Sequence, residues 1–299
     1  MMLRGATAEA ILSWLTECLG PDYHGADIRG SGAGCINDTY EVSKAGLDSV
    51  FIKVGAPGQW EMYQVEARGL RLLARCDAVR VPAVLGCTQL MDCAVLALEF
   101  IPLRSLRAGH ERRFGAALAE LHDITADQFG LDHNNYIGRT HQINEPDLDW
   151  WHFYRQCRLL PQRKLAQARG MRQGLLQDLD QLLERLPGRL AEHQPRPALV
   201  HGDLWSGNMA VDSDGRPTLF DPAVYYGDGE TDLAMSRMFG GPGQAFYDAY
   251  HRIRPPLPDA ELRRPLYDLY HWLNHFNMFG VGYLGQVELT LQVLLRELT

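Results

Sequence analysis

Lysine is scarce in this chain: three of its 29 basic residues are lysine and the other 26 are arginine. No apolar run approaches the roughly 20 residues that span a bilayer, and a basic and apolar signal segment is missing at the amino terminus. A net charge of −8 argues against a nucleic-acid surface or a basic membrane-binding face. We therefore expect a cytoplasmic protein whose partners are small molecules or other proteins.

Cysteine is also used sparingly. The six cysteines form no C-x-x-C pair and are too few for a disulfide scaffold, so most should be reduced.

One of the three lysines, Lys53, lies in the apolar segment 50–54. Because nearly every other basic residue is arginine, a lysine in a predicted strand indicates a need for a compact ammonium group. The alternative is a surface lysine on an edge strand.

The most informative segment is the octapeptide HGDLWSGN at residues 201–208. Asp203 and Asn208 have the five-residue offset of the protein-kinase catalytic loop, and Asp221 follows thirteen residues after Asn208. Phosphoryl transfer from ATP needs a carboxylate that orients the acceptor hydroxyl and oxygen ligands that hold Mg²⁺. We predict that Asp203 is the catalytic residue, that Asn208 and Asp221 are metal ligands, and that ATP and Mg²⁺ are the cofactors.

The residues between these groups support this interpretation. An isolated H-G-D tripeptide is equally typical of an ordinary turn. Here, however, residues 209–211 and 218–220 read as short strands joined by a turn at 212–215. Such a hairpin would bring Asn208 and Asp221 side by side at one end.

The first part of the chain is predicted to form a small antiparallel sheet with two helices. The helices are expected at residues 7–19 and 60–76, and the strands at 28–34, 39–43, 50–54, 84–88 and 93–101. A kinase-like arrangement requires an ion pair between Lys53 and a glutamate of the second helix. We favour Glu66, with Glu61 as a solvated alternative. Backbone groups from Glu99 to Ile101 would bind adenine, although Glu99 is equally typical of a surface charge.

The rest of the chain is predicted to be mainly helical. Helices are expected at residues 104–122, 148–168, 172–186, 263–279 and 286–298, with a long irregular stretch through residue 146. The predicted fold is therefore α+β and bilobal. Residues 1–102 would form a nucleotide-binding lobe and residues 103–299 a catalytic and substrate-binding lobe.

A glycine-rich turn at residues 30–37 lies between two predicted strands. Gly32 and Gly34 would allow backbone N–H groups to lie over the ATP phosphates. Cys35 would lie at the tip of this loop, where polarised amides favour a reactive thiolate. We hypothesise that oxidation of Cys35, including an intermolecular disulfide, inhibits the protein, so that it is a monomer or a redox-dependent homodimer. A passive loop cysteine is the alternative.

Longer segments carry a more specific resemblance. Residues 201–208, 220–228 (FDPAVYYGD), 230–235 (ETDLAM) and 273–275 (LNH) resemble the fructosamine-3-kinase, or ketosamine kinase, family. That family lies within the protein-kinase-like and aminoglycoside-phosphotransferase fold group. The resemblance implies ATP-dependent phosphorylation of the sugar 3-hydroxyl of ketosamines, such as fructosyl- or ribulosyl-lysine, on small amines or on glycated proteins. The product would separate from the amine, which amounts to deglycation.

The resemblance also implies a set of substrate residues. Trp205 would be a platform for the sugar or the substrate ammonium, or else a packed tryptophan of the lobe core. Asp228, Glu230 and His275 would suit a cationic amine, or else form structural hydrogen bonds. An aminoglycoside or choline kinase would keep the same catalytic groups, and a pseudokinase would bind ATP without turnover.

Overall fold

The structure, a computed structural model, describes residue 3 and residues 5–32, 38–189 and 192–297. The strands described in the first lobe pair antiparallel in one sheet, with the first, second, third, fifth and fourth strands side by side. The elements of this lobe are α1 (Gly5–Leu19), β1 (Asp27–Gly30), β2 (Asp38–Ser43), β3 (Val50–Gly55), α2 (Trp60–Leu73), β4 (Val84–Gln89) and β5 (Ala94–Glu99).

Both faces of this sheet are covered by helices. Alternation along β3 places Ile52 in a cluster with Ile11 of α1. Phe51 packs into the opposite cluster, which contains Leu70 of α2. Lys53 shares the face of Phe51, so the strand directs its side chain toward α2.

The second lobe is mainly helical, and the protein therefore has the predicted bilobal α+β fold. None of the helices in the described ranges is long and apolar enough to cross a membrane. The helices of this lobe are α3 (Glu111–Leu121), α4 (Trp150–Tyr154), α5 (Leu160–Ala168), α6 (Gln173–Arg189), α7 (Glu230–Arg237), α8 (Gln244–Ile253), α9 (Ala260–Phe279) and α10 (Leu284–Glu297).

Small antiparallel sheets lie among these helices. In chain order their strands are β6 (Arg104–Ser105), β7 (Asn135–Ile137), β8 (Thr140–Gln142), β9 (Ala198–Val200), β10 (Met209–Val211), β11 (Pro217–Leu219) and β12 (Tyr225–Gly227). β10 and β11 form the predicted hairpin, and β9 pairs with β12. Because β9 ends just before residue 201 and β12 begins just after residue 224, their pairing holds both ends of the segment that contains the predicted catalytic groups.

The helix predicted at residues 104–122 is wrong at its start. Arg104 and Ser105 form β6, which pairs with Val211 and Ala210 of β10, and α3 begins only at Glu111. The partner strand is distant in the sequence, so local periodicity carried no sign of this pairing. The lobe boundary between residues 102 and 103 remains a prediction.

Two other predicted segments contain more structure than expected. The helix predicted at 148–168 is α4 and α5 joined by a π-helical turn (Arg155–Leu159). Pro161 has no N–H for the carbonyl of Cys157, and that carbonyl instead accepts a hydrogen bond from Nη1 of Arg158 at 3.0 Å. The stretch expected to be irregular through residue 146 contains the β7–β8 hairpin.

The contact between α3 and α8 leads to a prediction about stability. A Cβ at Gly115 of α3 would lie 2.0 Å from the carbonyl oxygen of Phe246 in α8. Gly115→Ala must therefore push the two helices apart. We expect the free energy of unfolding, measured by urea denaturation, to fall by about 1–3 kcal/mol.

Gly174→Ala is the matched control for this substitution. Gly174 also lies in a helix, α6, but a Cβ there would meet nothing within 4 Å. Since alanine favours helix more than glycine does, this variant should be as stable as the wild type or more stable by up to about 1 kcal/mol. Equal stability of the two alanine variants would show that the helices adjust to the extra methyl group.

Candidate active site

Lys53 is the buried cation of the candidate site. Its Nζ lies 2.6 Å from Oε1 of Glu66 and 2.6 Å from Oδ1 of Asp221. Burial by itself would lower the pKa of this ammonium group, but the charges of Asp221 and Glu66 outweigh burial and raise the pKa. Lys53 is therefore charged. Its partner in α2 is Glu66, whereas Glu61 is exposed.

The buried side chain of Asp232 in α7 binds the backbone at the start of the segment 201–208. The N–H of His201 donates to Oδ2 at 2.7 Å and the N–H of Gly202 to Oδ1 at 2.9 Å. Nε2 of His122 lies 3.2 Å from Oδ2. Desolvation opposes the charge of Asp232, but hydrogen bonds from His122 and the backbone of His201 lower its pKa. Asp232 lies 31 residues after His201, so no local pattern in the sequence indicated this contact.

The backbone at Gly202 explains the glycine at this position. Its φ is +81°, and a Cβ there would lie 2.1 Å from the carbonyl oxygen of Ala223. A side chain at residue 202 would therefore be strained and would also separate the loop from the turn after Asp221. Protein kinases have arginine at this place in the motif.

Asn208 and Asp221 lie side by side, and their oxygen atoms fit a divalent cation. Nδ2 of Asn208 donates to the carbonyl oxygen of Asp203 at 2.9 Å and lies 3.4 Å from the carbonyl oxygen of Asp221. Because acceptors surround Nδ2, the amide oxygen of Asn208 points away from them, and it accepts no hydrogen bond from the described residues. Asp221 has φ +56° and a side chain that is 47% exposed. Carboxylate and amide oxygens are the ligands that Mg²⁺ prefers.

Asp203 lies next to this pair. Its Oδ2 is 3.4 Å from Nδ2 of Asn208. Desolvation, together with the charges of Asp221 and Asp232, raises the pKa of Asp203 from 3.8 to about 7, while the contact with Asn208 acts in the opposite direction. A carboxyl group with a pKa near the working pH is suited to accepting a proton in catalysis.

One cavity of about 330 Å³ joins these groups. It lies between the two lobes, since Lys53 and Glu66 come from the first and Asp203, Asn208 and Asp221 from the second. Trp205 also lines this cavity. The structure thus brings together six of the predicted site residues.

A buried hydrogen-bond network supports the turn after Asp221. Nδ2 of Asn135 donates to the carbonyl oxygen of Val224 at 2.7 Å, and Nε2 of Gln142 donates to that of Ala223 at 3.1 Å. Gln142 also donates to Oδ1 of Asn135 at 2.8 Å. Both side chains belong to the β7–β8 hairpin, whose Tyr136 lines the cavity. No residue of this hairpin was singled out from the sequence, because amides in a presumed loop carry no distinctive pattern.

Asp228 and Glu230, predicted as substrate residues, lie elsewhere. Oδ2 of Asp228 accepts the hydroxyl of Tyr267 at 2.6 Å and lies 2.7 Å from Nε2 of His193. Glu230 forms a two-pronged ion pair with Arg263, at 2.8 and 2.7 Å. Both acidic residues line a second cavity of about 360 Å³, whose lining includes none of the residues predicted to be catalytic or to bind the metal. These contacts agree with the alternative that Asp228 and Glu230 form structural hydrogen bonds.

His275, the other predicted substrate residue, does not line the cavity that contains Asp203. Its ring centroid lies 5.0 Å from that of Phe239, which in turn lies 6.1 Å from that of Trp205. Nδ1 of His275 lies 2.8 Å from the carbonyl oxygen of His271. His275 is therefore one aromatic ring away from the cavity wall.

The predicted adenine contacts are also outside this cavity. The N–H of Glu99 donates to the carbonyl oxygen of Ala83 at 2.8 Å, and the Glu99 carboxylate pairs with Arg80. Glu99 therefore has no free backbone donor for adenine and is tied to the first lobe by its side chain. Ile101 is partly buried after the end of β5.

The glycine-rich loop can be described only in part. Gly32 has φ +65°, a conformation that favours glycine. Gly34 and Cys35 lie outside the described residues, so the phosphate contact at Gly34 and the redox hypothesis for Cys35 remain predictions.

The fold and the site together define a phosphotransferase of the protein-kinase-like class: two lobes, a lysine–glutamate pair on one side, and an Asp, Asn and Asp set on the other. The family model described as fructosamine kinase matches residues 7–297. The chain belongs to the fructosamine kinase family.

Individual relatives agree with this assignment. The chain is 39% identical over 291 residues to a probable ketoamine kinase of Synechocystis, covering 96% of this chain and 97% of the relative. It is 38% identical over 260 residues to a chloroplastic protein-ribulosamine 3-kinase of Arabidopsis thaliana, covering 86% and 78%. The crystal structure of a putative fructosamine-3-kinase from Thermobifida fusca superimposes with a TM-score of 0.85 at 30% identity, covering 96% of this chain and 99% of that one.

Proposed function

We propose that this protein is an ATP-dependent kinase that phosphorylates the sugar 3-hydroxyl of ketosamines and thereby leads to deglycation. The observation that carries the proposal is the single cavity in which Asp203, Asn208 and Asp221 face the Lys53–Glu66 pair. Membership of the fructosamine kinase family and the names of the relatives support ketosamines as the acceptor class.

Asp203 has the role of orienting the acceptor hydroxyl and taking its proton. Its raised pKa keeps a basic carboxylate available near neutral pH. Nδ2 of Asn208 lies 3.4 Å from the carboxylate of Asp203, and Asp232 fixes the backbone of the two residues before Asp203. The acceptor would enter over Trp205, whose ring lines the same cavity.

Mg²⁺ would be held by the amide oxygen of Asn208 and the carboxylate of Asp221. When bound, this cation neutralises charge on the triphosphate. The carboxylate of Asp221, which contacts the ammonium group of Lys53, would then serve both cations. Lys53 has the role of positioning the phosphates, and Glu66 that of keeping Lys53 in place.

The proposed product explains the deglycation step chemically. The 3-hydroxyl is on the carbon next to the ketone carbon C2, and C1 carries the amine. Loss of a proton from C1 gives a 1,2-enaminol, whose nitrogen electron pair can expel inorganic phosphate from C3. Water then hydrolyses the resulting iminium group, which releases the free amine and a 3-deoxy dicarbonyl sugar. Both small ketosamines and glycated proteins present the required hydroxyl, and both are proposed as acceptors.

A panel of acceptors tests this function. We expect ATP- and Mg²⁺-dependent phosphorylation of ribulosyl-lysine and fructosyl-lysine, with ³¹P NMR showing phosphate on O3, and no turnover after addition of EDTA. Kanamycin and choline are the control acceptors. Turnover of only kanamycin or choline would contradict the ketosamine assignment, and ATP binding without any turnover would indicate a pseudokinase.

A further inference from the structure

A strip of aromatic rings runs from the catalytic cavity to the surface of the second lobe. The ring centroids of Trp205 and Phe239 are 6.1 Å apart, those of Phe239 and His275 are 5.0 Å apart, and those of His275 and Phe279 are 5.7 Å apart. We call the following set the aromatic strip: Trp205, Phe239, Trp272, His275, Phe279 and Tyr283.

The rings of this strip are partly open to solvent. Trp205, Phe239 and His275 are partly buried, and Phe279 at the far end is 57% exposed. Trp272 and Tyr283 pack against the other rings, with centroids 5.4 Å from Phe239 and 5.0 Å from His275 respectively. Exposed aromatic surface that continues into a polar cavity is typical of a ligand-binding surface.

The strip carries no charge at neutral pH. The Nδ1–H of His275 donates to the carbonyl oxygen of His271 at 2.8 Å, which leaves Nε2 as an acceptor. Burial lowers the pKa of His275, so the ring stays neutral. A neutral aromatic surface attracts both methylene groups and an organic ammonium group.

We propose that the aromatic strip binds the amine-borne part of the ketosamine and selects adducts in which an unbranched alkyl chain, such as that of lysine, carries the sugar. This inference rests on the proposed function. The sugar must lie beside Asp203, so its nitrogen substituent has to leave the cavity. Trp205 lines the cavity and also begins the strip, which defines the exit path. The ammonium lies at Trp205, the methylenes lie along Phe239 and His275, and Phe279 contacts the outer end of the chain.

The unaltered protein provides the first test. Fructosyl-methylamine and fructosyl-hexylamine carry the same sugar and the same secondary ammonium group and differ only in the alkyl chain. The hexyl adduct should have a kcat/KM about tenfold higher or more, through a lower KM, because several methylene groups leave water. Equal KM values for the two adducts would overturn the proposal.

Phe279→Ala provides the second test. Because Phe279 is 57% exposed, its removal leaves little cavity in the core. We expect KM for fructosyl-hexylamine to rise about three- to tenfold with kcat unchanged, and both constants for fructosyl-methylamine to stay unchanged. A merely structural effect would change the kinetics of both adducts alike and would overturn the proposal.

Leu289→Ala is the matched control. Leu289 is a large apolar residue of α10 that is 59% exposed and lies outside the strip. This variant should show wild-type constants for both adducts. Failure of the wild type to phosphorylate either adduct would refute the proposed function as well, whereas turnover without chain-length preference would refute the aromatic-strip proposal alone.

Discussion

Asp203→Asn is expected to lower kcat by a factor of about 10² to 10⁴ while leaving the affinity for ADP within about threefold. Asparagine has the same shape as aspartate but cannot take the proton of the acceptor hydroxyl. The nucleotide contacts assigned to Lys53 and Asp221 stay in place. The measurements are steady-state kinetics with fructosyl-lysine and calorimetric titration with ADP.

The stability of this variant separates a chemical effect from a structural one. The carboxyl of Asp203 has a pKa of about 7 in the folded protein against 3.8 ordinarily. Because the pKa of Asp203 is higher in the folded than in the unfolded protein, ionisation of this carboxyl group destabilises the folded state. The destabilisation is fully present above about pH 7. Removing the charge should therefore not lower the melting temperature at pH 8. Asp214→Asn, an exposed change in the turn between β10 and β11, should behave as wild type. A kcat near that of the wild type in Asp203→Asn would contradict the role of Asp203.

Asp232→Asn is expected to lower the free energy of unfolding by about 2–4 kcal/mol. One carboxylate oxygen accepts the N–H of His201 and the other that of Gly202, at 2.7 and 2.9 Å. An asparagine in this place must turn its NH₂ group toward one of these donors. A buried N–H then loses its acceptor, although the size of the side chain is unchanged. Urea denaturation at pH 7 measures the effect.

The same substitution should also reduce kcat, because Asp232 holds the backbone of the loop that carries Asp203. The pKa of Asp232 lies below its ordinary value of 3.8, so its stabilising contribution is fully present above that pH and is lost only in acid. The variant should therefore be less stable than the wild type at both pH 7 and pH 8. The difference should be somewhat smaller at pH 8, because the charge of Asp232 also helps to raise the pKa of Asp203. Asp248→Asn is the control, since Asp248 is exposed and accepts a hydrogen bond from Gln244; its effect should stay within about 0.5 kcal/mol. An equally small effect in Asp232→Asn would show that the loop does not depend on this anchor.

The grouping of Asp203, Asn208 and Asp221 in one cavity could be predicted because these residues are close in the sequence. Asp203 and Asn208 lie five residues apart in one loop, and the turn signal at residues 212–215 identified the hairpin that brings Asp221 back. The strand Val50–Gly55 could be predicted in the same way, since the alternation of side chains places Lys53 and Phe51 on one face. In these segments the local sequence pattern is enough to place the side chains that line the cavity.

Acidic residues without a local pattern were harder to interpret. Asp228, Glu230 and Asp232 lie within five residues of one another, yet Asp228 and Glu230 line the second cavity and Asp232 supports the catalytic loop. Which way each side chain points depends on the start of α7 and on partners from distant helices. Composition and spacing contain no information about those partners.

The sequence by itself determined the two-lobed α+β class and the family, because these follow from local motifs and from periodic apolar patterns. Only the tertiary structure decided that Glu66 rather than Glu61 pairs with Lys53, and that Asn135 and Gln142 support the turn after Asp221. It also decided that the rings from Trp205 to Phe279 form one surface. These relations join elements far apart in the chain, and packing of the helices against the strands, rather than any local preference, brings them within contact distance.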